Sequence, residues 1–574
     1  LVATVSIDTG GTFTDGYFTR DGRSVRVKVD TTPHDFTECL GRCITAGATE
    51  LGYPSTQALL IDTEAVRFSS TIGTNTLVTR SGPRIGLIVS RGAAASLYSV
   101  GESPLYEFLV RKDLVAEVAD PFDSTEVRDR VRALLVAGAR ILVVSLTNSE
   151  ADPAGEQAIK KTVQQQYPRH YLGAVPCLLA SEMTPRPGAE RRTATAVIDA
   201  YLHGSMVKTL YKADEDLRSA GYPHPMLVVH ASGGVARVAK TKAIETYNSG
   251  PVAGAYGSRR MAQRYGIDGV VTLDVGGTST DVAAIVSGRL PFASEPAIEG
   301  IPVATPMVEV QTAGVGGGSV ARRIDAGFTV GPDSVGASPG PACYGLGGTE
   351  ATPTDAEVVL GHVDPDWFLG GRRRLDPDRA RAALARLADD QPAEVTAEAV
   401  RAAVVASAAA KVREVVAATG LPAQAFTLFA FGGGGGLYAA DVAAAIGIGR
   451  VLLFLHSSVF SAFGVSEMDL GHVYELATSD ELAPQLAAAA ARAALDVAGE
   501  GFDPAGLGFA LEVQNPDGTV ESLPLPRGID AVPTSLPAGA VSARLRATVR
   551  MGDAELPALA GSSSEISSAA KGIR

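Results

Sequence analysis

Asp8-Thr9-Gly10-Gly11-Thr12-Phe13-Thr14-Asp15 is written a second time as Asp274-Val275-Gly276-Gly277-Thr278-Ser279-Thr280-Asp281. Both copies read Asp-x-Gly-Gly-Thr-x-Thr-Asp, and six fixed residues recurring by accident at roughly 5–7% usage each has a chance on the order of 10⁻⁵. Each copy follows an apolar run (Val5-Ser6-Ile7; Val270-Val271-Thr272-Leu273) and precedes another (Tyr17-Phe18; Val282-Ala283-Ala284-Ile285). That is the pattern of two strands joined by a Gly-Gly turn. The register extends to Gly22-Arg23 and Gly288-Arg289, so the chain is an internal duplication whose two halves are expected to face one ligand.

Paired glycines turn the backbone sharply and leave bare N–H groups in a concavity suited to anions, phosphate above all. Threonine hydroxyls add donors and acceptors at the rim. The strand-end acids Asp8 and Asp274 suit a hard cation such as Mg²⁺, which takes few protein oxygens and keeps much of its water. An ordinary pair of tight hairpins would use the same residues; retention of both acids and both threonines in two copies favours the ligand site.

A third glycine-rich site lies downstream. Phe426-Thr427-Leu428-Phe429-Ala430-Phe431 reads as a buried strand, Gly432-Gly433-Gly434-Gly435-Gly436 as a loop, and Leu437 to Ile446 as a helix. Strand, glycine loop and helix make a nucleotide-site layout in which backbone approaches a base or ribose closely and the helix start favours negative charge. No Gly-Lys-Ser/Thr ends the run and the dinucleotide spacing is not met. The apolar flanks argue against a flexible linker.

These segments resemble the actin, Hsp70 and sugar-kinase superfamily, and within it the ATP-binding subunit of the hydantoinase, 5-oxoprolinase and acetone carboxylase family. The supporting stretches are Ser70-Thr71-Ile72-Gly73-Thr74-Asn75-Thr76-Leu77, Ser249-Gly250-Pro251-Val252-Ala253-Gly254, Gly314-Val315-Gly316-Gly317-Gly318-Ser319, Pro339-Gly340-Pro341-Ala342-Cys343-Tyr344-Gly345, Thr354-Asp355-Ala356 and Phe460-Ser461-Ala462-Phe463-Gly464. The resemblance covers residues 3–475. It implies an α/β fold with two ribonuclease-H-like lobes around an ATP cleft. It also implies Mg²⁺ (or Mn²⁺) organised by Asp8 and Asp274, and phosphates cradled by Gly10, Gly11, Thr12, Thr14, Asp15, Gly276, Gly277, Thr278, Ser279 and Thr280. Gly316 and Gly317 would add to the cradle and Gly432 to Gly436 would flank the adenosine.

The activity implied is phosphorylation of a carbonyl oxygen, in a lactam or hydantoin amide or a ketone enolate, shared with a hydantoinase B-like companion subunit in a hetero-oligomer. Two other classes stay open. A stand-alone small-molecule kinase needs a carboxylate base, for which Asp355 is the candidate; a nucleotide-gated conformational ATPase needs only lobe closure. Two departures from the family pattern stand out. The adenosine loop runs through Gly436-Leu437-Tyr438 rather than Gly-Pro-x-His, and Phe68 stands where a histidine often introduces the Asn75 segment. The part beyond residue 475 reads as shorter than is usual.

Composition agrees with a large enzyme. The 574 residues exceed one core, and the net charge of −13, with no dense Lys/Arg cluster, speaks against a nucleic-acid surface. No 18-residue uncharged apolar run appears, so no membrane span is expected, and the immediate entry into a strand leaves no room for a signal peptide. Four cysteines fit a reducing cytoplasm. Cys39 and Cys43, four apart on an expected helix, suit a core face better than a metal, and Cys343 suits a structural role. The histidines form no zinc motif; His230 follows the strand Leu227-Val228-Val229 and suits a strand edge.

Strands alternating with amphipathic helices give an α/β class. The expected divisions are 1–185, holding the first hairpin; 186–475, holding the second hairpin, a Gly/Pro-rich insertion and the adenosine loop; and 476–574, a helix and a small β-rich appendage with a disordered tail. The first division carries strands at 84–89 and 140–145 and ends at Thr184-Pro185-Arg186-Pro187-Gly188. A long helix follows over 190–219, and 290–380 reads as elaborate loop, its part at 310–350 a candidate partner surface. Thr396 is expected to cap a long helix that stops before Gly420, and a second alanine-rich helix spans 481–499. In the appendage Asn515-Pro516-Asp517-Gly518 joins two strands, and Ala543, Leu545, Ala547, Val549 and Met551 alternate with arginines on a solvated face.

Overall fold

A computed structural model describes the chain except for residues 1, 99–107, 120, 169, 171, 294–295, 326, 477–481, 516–519, 526–535, 537–538, 541 and 552–574. The expected disordered tail and most of the Asn515–Gly518 turn lie outside the described residues.

Two sheets carry the duplication. In the first, strands run in the order Arg23–Asp30, Phe13–Arg20, Ala3–Thr9, Thr63–Ser70, Leu227–Val229; the first three are mutually antiparallel and the rest parallel to Ala3–Thr9. In the second the order is Gln311–Ala313, Thr280–Val282, Gly269–Val275, Thr427–Phe431, Val451–Leu453, with the same succession of directions. This is the ribonuclease-H-like α/β arrangement written twice, as the repeated loop predicts. A separate all-parallel sheet, Val115–Val118, Ile85–Ser90, Ile141–Ser145, Cys177–Leu179, carries the strands expected near 84 and 140.

The alternation of the strands sets the layers. Val5, Ile7, Val66 and Phe68 face a core closed by the helix Phe36–Leu51, whose buried face includes Cys43. Phe68 is 1% exposed, a buried ring on the side away from Asp8 worth roughly 2–3 kcal/mol. Ser6, Asp8, Arg67 and Ser69 occupy the opposite face. Against the second sheet pack Ala393–Ala418 and Gly435–Ile446. The two sheets meet through the helices Ser249–Tyr265 and Phe460–Ser466. A Cβ on Gly464 would fall 1.9 Å from the carbonyl oxygen of Ala253 and one on Gly257 3.0 Å from Gly464 Cα, so these helices cross backbone to backbone.

The β-rich C-terminal stretch is joined edge-on to the first sheet. Leu470–Leu476 pairs with Ser542–Val549, which pairs in turn with Leu507–Gln514 and that with Val520–Leu525, so the sheet reaches ten strands. Ala543, Leu545, Ala547, Val549 and Met551 are buried as their alternation predicts. Their arginine neighbours correct the expected solvated face. Arg544 is 6% exposed with its guanidinium over the Phe292 ring, and Arg546 bonds Glu512 at 2.8 Å. Loop from the 290s and the Glu512 carboxylate cover that face, which the local pattern cannot reveal. Thr396 lies inside the first turn of a helix that starts at Ala393, not at its cap. The 290–380 region contains short two-stranded ribbons, notably Ser319–Ile324 with Gly327–Ser334, and the helix Pro353–Val359.

Candidate active site

Both loops close identically. Gly10 N–H donates to Phe13 O and Gly276 N–H to Ser279 O, each at 2.9 Å. The amides one step on, Gly11 and Gly277, take no hydrogen bond among the described residues. The two turns face each other. A Cβ on Gly277 would lie 2.5 Å from Thr12 Oγ1, and one on Gly11 3.9 Å from Thr278 Cγ2. The repeat therefore builds one site from two backbones, with unpaired N–H groups from each side.

The acids follow the same symmetry. Asp8 is the cross-strand partner of Asp15, and Asp274 of Asp281. Each strand-end acid accepts a serine hydroxyl, Asp8 from Ser69 and Asp274 from Ser461, the latter at 3.4 Å. Burial raises Asp8 to about 6, opposed by the Ser69 hydroxyl and reinforced by the Asp15 charge. Burial also lifts Asp274 well above the ordinary aspartate value, helped by the charges of Asp281 and Asp8. Asp281 is likewise raised to about 6 by burial, against hydroxyls from Thr312 (2.6 Å) and Ser279 (3.2 Å). Asp15 alone has a cation, Lys28 Nζ at 2.6 Å, though burial still raises it.

The glycine run joins this centre. Gly432 N–H donates to Ser457 O and Gly434 N–H to Val275 O, each at 2.9 Å. Gly432 has φ +78°, and a Cβ there would sit 2.3 Å from Asp274 Oδ1 and 2.6 Å from Val275 O. Gly435 and Gly436 open the helix Gly435–Ile446, and nothing lies within 4 Å of a Cβ built on Gly433. Tyr438 is 1% exposed, its ring under the Arg401 guanidinium and its hydroxyl held by Glu357. The departure from Gly-Pro-x-His therefore turns inward.

Other residues serve as supports. Thr14 and Thr280 are fully buried; Thr14 joins Thr31 at 3.0 Å and Thr280 donates to Val315 O at 2.6 Å, behind the loops. Gly317 and Gly318 N–H groups donate to Gly276 O and Gly277 O, and Gly316 N–H to Ser319 Oγ, so this segment underpins the second turn. Asp355 stands apart from the acids. It is fully buried and accepts from Cys343 N (2.7 Å), Thr352 Oγ1 (2.7 Å), Thr352 N (3.1 Å) and Ala342 N (3.3 Å). With its lone pairs engaged it braces the Pro353–Val359 helix start and has no free edge for a base. Cys343 is buried in that same knot, its thiol pushed up by burial. His230 is buried and bonded to Thr241 at 3.0 Å.

Ser69, Ser461, Lys28 and Gly250 belong to the site without having been singled out. A Cβ on Gly250 would lie 2.9 Å from Asp8 Oδ1, bringing the start of Ser249–Tyr265 against that acid. Gly250 and Ser461 sit inside stretches the resemblance marks, but their partners are fixed only by the fold. Among the described residues no three His, Cys, Asp or Glu converge as a metal cage.

The fold and this paired cradle define a duplicated, two-lobed α/β protein with one site built from both halves. The sequence profiles of the hydantoinase/oxoprolinase family match residues 192–472, and those of its N-terminal region residues 4–167. The acetophenone carboxylase gamma subunit of Aromatoleum aromaticum is 36% identical, covering 83% of this chain and 69% of its own. The chain belongs to the hydantoinase/oxoprolinase family. Among solved structures, nucleotide-free acetone carboxylase superposes with TM-score 0.81 at 24% identity over 96% of this chain and 88% of that one. The ATP-dependent caprolactamase of Pseudomonas jessenii gives 0.74 at 26% identity over 97% and 89%. No helix among the described residues is long and apolar enough to cross a membrane.

Proposed function

We propose that the chain binds ATP with Mg²⁺ (or Mn²⁺) between its two hairpins and transfers the γ-phosphoryl group to a carbonyl oxygen. The acceptor is a ketone enolate or a lactam or hydantoin amide. The chain acts as one subunit of a hetero-oligomer whose hydantoinase B-like companion completes carboxylation or hydrolysis. The observation that carries this is the meeting of the two turns, with the free amides of Gly11 and Gly277 beside four acids, of which Asp8 and Asp274 each feel the charges of Asp15 and Asp281. Such a site is short of positive charge. Two acids held by serine hydroxyls, with no cage of three His, Cys, Asp or Glu among the described residues, fit a cation that keeps most of its water.

When bound, the cation supplies neutralisation of the phosphate oxygens. The chain's own contribution is orientation and dipoles. Gly11 and Gly277 amides aim at phosphate oxygens from opposite sides, Asp8 and Asp274 are fixed by Ser69 and Ser461, and the Gly432–Gly436 turn brings backbone close to the nucleoside. Positioned donors of this kind, with the cation's charge, are what phosphoryl transfer requires. The bond from the γ-phosphorus to ADP breaks as one to the carbonyl oxygen forms, turning a poor leaving group into a good one. The engagement of Asp355 takes away the carboxylate the sequence offered as a kinase base.

Relatives named as carboxylase and caprolactamase subunits support both the ATP dependence and the companion, and the 36% identity to an acetophenone carboxylase subunit puts ketones first. Free cysteines throughout the described residues fit a cytoplasmic location. The test is ATP consumption by the chain alone and with its companion, across ketones with bicarbonate, hydantoins, 5-oxoproline and lactams. Turnover stimulated by one class only with the companion is expected; turnover by the single chain on a hydroxyl acceptor would refute carbonyl activation.

A further inference from the structure

The edge strand Arg23–Asp30 ends the first sheet, and its sequence Val25-Arg26-Val27-Lys28-Val29-Asp30 alternates strictly. Val25, Val27 and Val29 pack inward on the first core. The polar positions of an edge strand ordinarily face solvent and blunt its pairing. Here all three reach into the other half of the molecule. Arg26 donates to Leu455 O, Lys28 donates to Ser458 O at 2.9 Å, and Asp30 accepts from Arg373 at 2.9 Å. The next strand adds its own residues on the same face, since Tyr17, Asp15 and Phe13 are the cross-strand partners of Arg26, Lys28 and Asp30. Tyr17 meets Phe463 with ring centroids 5.5 Å apart, and Phe13 meets Phe368 at 6.4 Å.

This seam is wired to both phosphate loops. Behind it the Tyr17 ring is 6% exposed; along the seam Arg26 and its acceptor Leu455 are exposed, the Lys28 side chain is 15% exposed, and the Asp30 and Arg373 side chains are 53% and 21% exposed. At the first loop Lys28 also holds Asp15, opposite Asp8. On the far side, Ser457, beside the Lys28 acceptor, takes the Gly432 N–H, and Gly432 lies against Asp274. Phe13 immediately follows Thr12. Displacing the seam therefore moves both acid pairs relative to each other.

We propose that Arg26, Lys28 and Asp30, with Arg373 as a further partner, are positioning residues that hold the two phosphate hairpins in register, and that ADP leaves by opening this seam. The proposal rests on nucleotide binding between the hairpins. Neither Asp30 nor Arg373 belongs to the phosphate cradle, and both are partly exposed, so substitutions there test the seam without touching the acids.

The experiment is stopped-flow release of mant-ADP with Mg²⁺ from the full chain, with ATP KM and kcat measured in parallel. Asp30→Asn and Arg373→Gln are each expected to speed release about two- to fivefold, the range of a partly exposed ion pair, and to raise KM by a similar factor without lowering kcat. Combining them should add nothing further, and the swap Asp30→Arg with Arg373→Asp should return release toward the parent rate. Unchanged release in both single variants would overturn the proposal, as would additive effects that the swap does not reverse. If the parent binds no mant-ADP, the nucleotide site itself fails and the seam's role with it; binding with unaltered release refutes the seam alone.

Discussion

Gly432→Ala perturbs the point where the glycine loop and the second acid pair touch. At φ +78° a side chain costs about 1–2 kcal/mol from the left-handed conformation alone. The added methyl would also lie 2.3 Å from Asp274 Oδ1 and 2.6 Å from Val275 O. The carboxylate can swing, but the carbonyl belongs to the strand Gly269–Val275 and cannot, so relief requires moving that strand end, and Asp274 with it, on the order of 1 Å. Displacement of that size at a reacting centre lowers rate about 10²-fold. Gly447→Ala supplies the comparison. Its φ is +80°, and its nearest contact is the end of the Gln424 side chain at 3.4 Å, so it carries the same conformational cost with no site nearby. Companion-dependent ATP turnover should fall about 10²-fold in kcat/KM for Gly432→Ala and stay within about twofold for Gly447→Ala, both unfolding at lower temperature. Equal kinetic effects in the two variants would refute the claim that Gly432 is held by contact with Asp274.

Two further outcomes are expected. Asp281 has a folded pKa of about 6 against 3.8 for an ordinary aspartate, so its charge weakens the cation-free fold as pH rises from about 4 through 6. Asp281→Asn should therefore exceed the parent in cation-free thermal stability above pH 6, converge with it near pH 4, and lose Mg²⁺-supported turnover; a stability gain that grows toward low pH would contradict the burial argument. Asp355→Asn sets an amide donor against groups that already donate, at a cost of roughly 2–4 kcal/mol. Its unfolding midpoint should drop while kcat of the folded enzyme stays within about threefold, whereas a general base would cost 10²–10⁴-fold.

How much was legible follows from the range of each signal. The duplicated loop and the glycine run are local, and their strands and turns fall where alternation and Gly-Gly put them. That the loops face each other also follows, because one ligand needs both. Thr14 and Thr280 could not be told from rim threonines: the motif fixes their type, but the strand's pleat turns them behind the turn. Asp355 presents in sequence as an acid after a threonine, equally a helix-start brace and a base, and only its four donors decide. Arg26, Lys28 and Asp30 were invisible as a group because Arg-Val-Lys-Val-Asp is what a solvated edge looks like. Their partners stand at 455, 458 and 373. The C-terminal arginines show the same blindness, since a covering segment is a tertiary fact.

The crossing of Ser249–Tyr265 with Phe460–Ser466 has one more implication. Main chain touches main chain there, at Gly464 and Ala253, and the two helices carry Gly250 against Asp8 and Ser461 against Asp274. The gap between the acid pairs is thus gauged by peptide dimensions and not by side-chain volume. Core substitutions elsewhere can accumulate over evolutionary time without retuning that gap, while a single methyl at position 464 would wedge it apart.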